Sequence, residues 1–275
     1  MLRRLQTIII GILLLCSFSI AQADDLSPFS GQKGLLKIAG GTAHIPVMKE
    51  AAKLIMQANP DIRITIAGGG SGVGIKQVGE GMINIGNAGR MASEKEIKSY
   101  GLEIFKWATD GVSAVANPKN QVSNLSSEQL QDIFAGKIDN WKMVGGIDKA
   151  INLYVRDTAS GTRSVFWKKA LKKGPVSTRA NVVVSNGAMK TAIGGDPYGI
   201  GYVSVGHIDS SVQAVAIDGV VANLKNVQNG KYKVARGLYS LTVGKPPGLA
   251  QLFLNFLYSP TGQNIVVSKG FVAVR

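Results

Sequence analysis

The sequence predicts an α/β fold in which mostly parallel strands alternate with helices that cover both faces of the sheet. Apolar runs of strand length recur from LLKIAG (35–40) to IGYVSV (200–205). Segments with apolar residues at helical spacing lie between these runs. A content of 45% hydrophobic residues with 34 glycines is typical of a globular chain with many tight turns.

The predicted elements begin at residue 35. LLKIAG (35–40) is an apolar strand, and a helix begins near Pro46, a residue that suits the first helical turn. DIRITIAG (61–68) alternates polar and apolar side chains as a half-buried strand does. A short helix at 74–80 follows it.

Two capping boxes, Ser93–Glu96 and Ser126–Gln129, predict helix starts in the next part of the chain. NIGNAG (84–89), before the first box, leads from a strand into a loop. Two separate apolar strands, IFKWA (104–108) and VSAVAN (112–117), are predicted between the boxes.

The rest of the chain repeats the alternation of strands and helices. Strands are predicted at 151–155, 182–185, 200–205, 213–217 and 236–243. Helices are predicted from 161 to about 172, near 187–193, and at 248–258 and 260–268. The solvated face of the first of these helices is expected to carry Lys168, Lys169, Lys172 and Lys173.

The first 23 residues are typical of a secretory signal peptide. The basic start MLRR precedes an apolar run (5–20), and the small-x-small site AQA predicts cleavage after Ala23. An uncleaved anchor is the alternative, but the run is shorter than the ~20 residues that span a bilayer. Attachment of a lipid at Cys16 is disfavoured by the bulky Leu15 before it.

The chain has a formal net charge of +14 and one cysteine, which lies in the predicted signal peptide. The exported protein is therefore expected to have no disulfide, no thiol nucleophile and no cysteine metal site. A positive field attracts small oxyanions, nucleic acid and anionic lipid alike. Because the lysines are scattered, nucleic acid is not the predicted partner.

Three turns rich in glycine and hydroxyl residues each follow a strand and open a helix. They are GGTAHIP (40–46), GGGSGVG (68–74) and TASGTR (158–163). The first N–H groups of a helix lack partners within it, and the helix dipole adds positive charge there. Three such ends at one place would form an anion site. Hydroxyl donors are supplied by Thr42, Ser71, Ser160 and Thr162.

Arg156 stands just before the third turn. Its guanidinium offers a full charge and a planar fork of donors that matches a tetrahedral oxyanion. Asp157 is expected to orient it through an ion pair. One such turn alone is most simply an ordinary helix cap, but three turns together with Arg156 predict a site for a small oxyanion.

Sequence motifs of enzymes are missing. The two histidines, His44 and His207, belong to no HExxH motif and no His/Cys cluster, and the chain has no GxSxG motif. GGGSGVG lacks the Gly-Lys-Ser/Thr ending of a Walker loop. No catalytic residue, metal or cofactor is therefore predicted, and His44 is expected to be a packed or solvated residue.

The chain resembles the periplasmic phosphate-binding proteins that feed ATP-driven (ABC) phosphate importers. The resemblance covers the chain from about residue 35 onward. The segments that carry it, in family order, are AGGTAHIPVM, ITIAGGGSGVGIKQVGEG, NIGNAGR, LQDIFAGKIDNWKMVGG, RDTASGTR, GYVSVG and GLYSLTV.

The resemblance implies a two-lobed periplasmic-binding-protein fold of type II, with a mixed, mostly parallel sheet and flanking helices in each lobe. The implied lobes are 24–112 plus 237–275, and 113–236. It also implies a periplasmic monomer that binds inorganic phosphate without catalysis and passes it to the permease of an ABC importer. The implied phosphate donors are Thr42, Ala43 and Ser71 from one lobe, and Arg156, Ser160, Gly161 and Thr162 from the other.

One position departs from the family pattern. Gly89 stands where the family often carries Asp or Ser, and Gly89 and the following Arg90 are expected to support the site. In members with Asp, that carboxylate accepts the proton of hydrogen phosphate. A receptor for another tetrahedral oxyanion such as sulfate therefore stays open as an alternative. An exported phosphate-ester hydrolase and a basic adhesive or nucleic-acid-binding protein are further alternatives.

Overall fold

The structure, a computed structural model, describes residues 25–274. The predicted signal peptide (1–23) and its cleavage site lie outside these residues. Within them, no helix is both long enough and apolar enough to cross a membrane.

The first part of the chain forms parallel strands with helices between them. Strand β1 (Gly34–Gly40) pairs in parallel with β2 (Ile62–Gly69) and with β3 (Ile85–Ala88). Helix α1 (Ile45–Ala58) follows β1 and buries an apolar face that includes Met48, Ala51 and Ile55. These elements match the predicted ones.

Helix α2 (Ser71–Gly79) begins three residues before its predicted start at Gly74. The prediction was late because glycines are poor helix formers. The structure shows why glycine is needed at position 74, which packs directly on β1. A Cβ there would lie 2.9 Å from the Cα of Gly40 and 3.0 Å from the carbonyl oxygen of Ala39.

Helix α3 (Glu94–Tyr100) has the predicted capping box, and Gly101 ends it in a left-handed conformation (φ 61°). The next strand, β4, corrects the prediction of two strands, because it runs without a break over Leu102–Ala116. Asp110 and Gly111 suggested a break between apolar runs, but both are buried within this strand.

The remaining elements follow the predicted order closely. The strands are β5 (Asn124–Leu125), β6 (Asn152–Arg156), β7 (Asn181–Val183), β8 (Gly199–Ser204), β9 (Gln213–Ile217), β10 (Ala235–Val243) and β11 (Val272–Ala273). The α-helices are α4 (Ser127–Ala135), α5 (Gly161–Lys169), α6 (Asn186–Gly195), α7 (Leu224–Gln228), α8 (Gly248–Tyr258) and α9 (Pro260–Ser268).

Helix α5 ends at Lys169 and not near residue 172 as predicted. Lys172 and Lys173 have φ values of 51° and 63°, so the chain turns out of the helix there. The amide of Lys173 instead donates to the carbonyl of Trp167 at 2.8 Å. The four lysines therefore do not share one helix face.

The α/β prediction is confirmed, but the sheet is mixed and has as many antiparallel as parallel strand pairs among the described residues, whereas mostly parallel pairing was predicted. Its main strand order is β2-β1-β3-β10-β4-β8-β6-β7. The antiparallel pairs centre on the long strand β4. Its first part pairs with β10 and β11, and its last part pairs with β8 and β9.

Two large hydrophobic cores lie on either side of the middle of β4. The first draws its buried residues from 29–108 and 238–271, and the second from 112–234. The chain passes from one core to the other along β4 and returns at the start of β10. The lobe boundaries given above stay a prediction.

Candidate functional site

One small closed cavity lies at the carboxyl ends of the parallel strands, the usual place for ligands in α/β sheets. The three glycine- and hydroxyl-rich turns converge on it. The described residues that line it are Gly41, Thr42, Ala43, His44, Gly70, Ser71, Gly89, Arg156, Ser160, Gly161, Thr162 and Arg236. The seven residues predicted to hold the ligand are all among them, together with Gly89.

The first turn forms a short 3-10 helix (Thr42–His44) that leads into α1. The hydroxyl of Thr42 accepts hydrogen bonds from the amide N and the Nδ2 of Asn186, at 3.2 and 3.0 Å. A hydroxyl has two lone pairs and one hydrogen. Because both lone pairs of Thr42 are used, its hydrogen is left to donate.

The second turn packs directly against the third. Gly70 has φ 89°, and a Cβ there would lie 2.8 Å from the carbonyl oxygen of Ala159. The same carbonyl accepts a hydrogen bond from the amide of Gly72 at 3.0 Å. Only glycine at position 70 permits this approach, which holds the start of α2 beside the turn before α5.

Ser71 opens α2 and connects it to the loop after β3. Its Oγ accepts a hydrogen bond from the amide of Gly89 at 2.9 Å. Gly161 lies on the other side of Ser71, where a Cβ would collide with the same Oγ. Three chain segments therefore meet at one hydroxyl.

The third turn opens α5 with Ser160 as its N-cap. Ser160 Oγ accepts from the amide of Arg163 at 3.1 Å. Thr162 Oγ1 accepts from Arg236 Nη2 at 3.0 Å and from Asn186 Nδ2 at 3.4 Å. These hydroxyls, like those of Thr42 and Ser71, already accept, so each has a hydrogen left to donate.

Arg156 is 1% exposed and is held from the side away from the cavity. Its Nε donates to the carbonyl of Val183 at 3.1 Å, and its Nη2 donates to the carbonyl of Val184 at 2.9 Å. The ion pair to Asp157 Oδ2 is longer, at 3.6 Å. The predicted orienting role of Asp157 is therefore shared with two backbone carbonyls.

The Nη1 of Arg156 is buried and has no hydrogen-bond partner among the described residues. Burial lowers the pKa of this guanidinium, and the charge of Asp157 opposes that change. A buried donor without a partner is costly. An anion in the cavity would supply the partner that the protein itself does not provide.

Arg236 also lines the cavity, and the sequence did not single it out. It is 7% exposed and forms a buried ion pair with Asp110, at 2.8 Å from Nη2 to Oδ2. Its Nη1 donates to the carbonyl of Gly89 at 3.2 Å. The available signal is a charged residue next to a long apolar run in each of two strands, Asp110 in β4 and Arg236 in β10, that pair with each other.

Asn186 is a second polar residue that sequence reasoning missed. It is fully buried, and its Oδ1 accepts a hydrogen bond from the amide of Ser204 at 3.0 Å. Its backbone amide donates to the hydroxyl of Thr42, and its Nδ2 donates to the hydroxyls of both Thr42 and Thr162. An asparagine at a helix start is common, so its sequence position gave no specific signal.

The histidines are neutral packing residues near the cavity. Burial, helped by the charge of Arg236, lowers the pKa of His44 to about 3. Its Nδ1 bonds the carbonyl of Gly41 at 3.0 Å, and its ring packs edge-on against Trp107. His44 was expected to be packed or solvated, and it is packed. Burial also lowers the pKa of His207 to about 4, and its Nε2 lies 3.1 Å from the carbonyl oxygen of Thr42.

Arg90 was expected to support the site, but the structure turns it away from the cavity. Its Nη1 and Nη2 donate to the two carboxylate oxygens of Glu96, at 2.9 and 2.8 Å. These bonds lower the pKa of Glu96 to about 2. The glutamate of the α3 capping box therefore binds this arginine outside the cavity.

No group of three or more potential metal ligands (His, Cys, Asp or Glu) is found among residues 25–274. The cavity offers hydroxyl, amide and guanidinium donors, which suit an oxyanion with several acceptor atoms. Two cores with a donor-lined cavity where they meet are typical of solute-binding proteins.

Comparison with known proteins supports this class. Residues 27–261 match the family model described as a PBP superfamily domain. The chain is 39% identical over 244 residues to the phosphate-binding protein PstS of Bacillus subtilis, covering 88% of this chain and 81% of that protein. The chain belongs to the PBP superfamily and, within it, to the family of phosphate-binding proteins.

Solved structures show the same likeness. A Clostridium perfringens protein assigned to phosphate ABC transport as a substrate-binding component, solved with bound phosphate, gives a TM-score of 0.83 at 33% identity. It aligns over 88% of this chain and 100% of its own. An ABC-type phosphate transport receptor from Vibrio cholerae gives a TM-score of 0.69 at 30% identity, covering 87% of this chain and 100% of that one. These relatives are named for binding and transport and not for catalysis.

Proposed function

We propose that this protein is an exported receptor that captures inorganic phosphate and delivers it to an ABC importer. One observation carries the proposal. Four hydroxyls that already accept hydrogen bonds, and a buried guanidinium nitrogen without a partner, all supply donors to one closed cavity. A tetrahedral oxyanion has the charge and the number of acceptors to satisfy them.

The phosphate would be held between two lobes, 24–112 plus 237–275 and 113–236. Thr42, Ala43 and Ser71 belong to the first, and Arg156, Ser160, Gly161 and Thr162 belong to the second. A ligand that bridges the two sets binds only the closed arrangement and stabilises it. Opening at β4 and β10 would release the phosphate.

The delivery step rests on the relatives and on the sequence. The family supplies the ABC transporter context, and the predicted signal peptide supplies export to the periplasm. We infer that the receptor acts as a monomer and docks on the membrane permease of the importer. Binding and release without a chemical step fit a cavity whose described lining has no activated nucleophile.

The test is calorimetric titration of the refolded, ligand-free protein with phosphate, sulfate and arsenate. We expect one phosphate to bind per chain, with a dissociation constant well below millimolar. An absence of binding at millimolar phosphate would overturn the proposal. Stronger binding of sulfate would make the protein a receptor for that oxyanion instead.

Two assays address the other classes of protein. Release of phosphate from a model ester would indicate a hydrolase. Retention on DNA at ~150 mM salt would indicate a nucleic-acid-binding protein, because binding driven by charge alone falls steeply with salt. Neither result is expected.

A further inference from the structure

The space that a side chain at position 89 would occupy is filled by Arg236. A Cβ built on Gly89 would lie 2.6 Å from Arg236 Nη1 and 2.9 Å from its Cζ. The guanidinium comes from β10, which is distant from Gly89 in sequence. Glycine at position 89 is therefore what admits this arginine to the cavity wall.

Arg236 is held in this position by Asp110, its direct neighbour in the register of β10 and β4. Arg236 Nε donates to Asp110 Oδ2 at 2.9 Å, and Ser204 Oγ donates to Oδ1 at 2.9 Å. Asp110 is fully buried. Burial raises its pKa, and the charge of Arg236 opposes that change.

The contacts of Arg236 leave one of its hydrogens to donate. A guanidinium has five N–H groups. Nε and one Nη2 hydrogen serve Asp110, the other Nη2 hydrogen serves Thr162, and one Nη1 hydrogen serves the carbonyl of Gly89. The second Nη1 hydrogen remains for a ligand in the cavity, where the Nη1 of Arg156 also lacks a partner.

We propose that Arg236 is a second anion-binding arginine, which makes the site select its ligand by charge and not by the ligand's proton. The inference rests on the proposed phosphate-binding function and deepens it by naming the ionic species. The expected ligand is a tetrahedral dianion: hydrogen phosphate in preference to dihydrogen phosphate, with sulfate as a true competitor.

The reason is that no carboxylate lines the cavity to accept a ligand hydrogen. The lining residues include no Asp or Glu, and the nearby carboxylate of Asp110 is occupied by Arg236 and Ser204. The side-chain hydroxyls are left as donors. A monoanion brings one more hydrogen than the dianion into a wall of donors, where no carboxylate accepts it.

The rival acceptor is Nε2 of His44, which is buried without a hydrogen-bond partner. The other titratable groups near Arg236 are Asp110, Arg156 and His207. The low pKa values of both histidines keep them neutral above pH 5, so their charge does not change in the range where phosphate takes its second charge. Burial raises the pKa of Asp110, so protonation of Asp110 is the other source of a pH dependence. Sulfate, whose charge does not change in this range, is the control that separates protonation of the ligand from protonation of the site.

The first experiment uses the wild-type protein. Phosphate and sulfate are titrated calorimetrically at fixed ionic strength between about pH 5.5 and pH 8, a range over which inorganic phosphate changes from mainly monoanion to mainly dianion. As the dianion fraction rises with pH, the phosphate dissociation constant should fall in inverse proportion to that fraction, while that of sulfate stays constant. Equal phosphate affinity at both ends of the range would overturn the inference, and so would rejection of sulfate by more than about 10⁴-fold.

The second experiment removes the pair together, as Asp110→Asn with Arg236→Gln, so that neither charge is left buried alone. Phosphate affinity at pH 8 should fall roughly 10- to 150-fold, and the ratio of affinities at pH 8 and pH 5.5 should shrink. Arg236→Lys keeps the charge but loses the fork, and it should show a smaller loss. Arg236→Lys is also the replacement test if the double variant does not fold.

The control is Arg63→Gln, which removes the same charge from an exposed position on β2 and should change neither quantity. A lower melting temperature with an unchanged affinity ratio would assign Arg236 a structural role and overturn the inference. Phosphate binding by the wild type would still support the proposed function in that case. A wild type that binds no phosphate would overturn both.

Discussion

Arg156→Ala is the most direct test of the anion site. The substitution removes a buried guanidinium whose Nη1 has no protein partner, so its effect should appear mainly when ligand is present. The two carbonyls that hold Arg156 belong to Val183 and Val184, and Val184 is 71% exposed. Water can therefore replace the lost donor there. The ligand-free variant should fold and be at least as stable as the wild type, because a desolvated cation has been removed.

The magnitude follows from the hydrogen bonds that the ligand would lose. A hydrogen bond to a charged group contributes ~1.5–3 kcal/mol, which corresponds to roughly 10- to 150-fold in affinity. At a phosphate concentration a thousandfold above Kd, the ligand stabilises the wild type by ~4 kcal/mol. A hundredfold weaker variant would gain only ~1.4 kcal/mol at the same concentration. The shift in melting temperature should therefore shrink by roughly 5–10 °C for a chain of this size.

The assay is calorimetric titration combined with thermal unfolding at matched phosphate concentrations. Arg63→Ala, at an exposed position, is the control for loss of one positive charge. An unchanged dissociation constant in Arg156→Ala would refute the site. A ligand-free melting temperature far below that of the wild type would instead show that Arg156 is needed for the fold.

Four further predictions test closure, pH dependence, selectivity and the hydroxyl donors. Phosphate should raise the melting temperature of the wild type and reduce its radius in small-angle scattering, and indifference to millimolar phosphate would count against a receptor. The free energy of unfolding should fall as the pH drops from about 6.5 to about 4, by ~1.4 kcal/mol per pH unit for each of His44 and His207. Both histidines take up protons in the unfolded chain at a higher pH than in the folded one. Urea unfolding at several pH values measures this slope, which His207→Gln should flatten. Gly89→Asp must displace Arg236, and it should weaken sulfate more than phosphate in competition titrations at pH 7, since only phosphate has a hydrogen to donate; equal weakening would contradict this. Ser71→Ala should weaken phosphate about tenfold by calorimetry, and no change would remove Ser71 from the site.

Much of the fold was predictable because its signals are local. Capping boxes, glycine helix ends and apolar periodicity depend on a few adjacent residues, and both predicted boxes are present. Two of the errors arose where tertiary contacts decide the structure. Strand β4 continues through Asp110 because Arg236, far away in sequence, pairs with it. Helix α2 begins early although it contains several glycines, because Gly72 packs against Ala159 and Gly74 packs on β1.

The candidate site, like the fold, was predictable where its residues form local sequence patterns. The three turns and Arg156 could be identified because each carries its own pattern of glycine, hydroxyl and charge. Arg236 and Asn186 could not, since each looks ordinary within its own element. Their role appears only when β10 is placed beside β4 and α6 is placed beside the first turn. The hydroxyls could be predicted as candidate donors, but the partners that occupy their lone pairs could not.

The position of the Asp110–Arg236 pair connects ligand binding with the passage between the two cores. Both residues lie where the chain crosses from one core to the other, on β4 and at the start of β10. A buried ion pair is weak evidence for stability, because desolvation offsets the attraction between its charges. Well-packed apolar residues would serve a purely structural strand pair at least as well. One hydrogen of Arg236 is directed to Thr162 and another to the carbonyl of Gly89, so the pair joins the loop after β3 to the start of α5. An anion drawn to Arg236 would therefore strengthen the contact that holds the two sides of the cavity together.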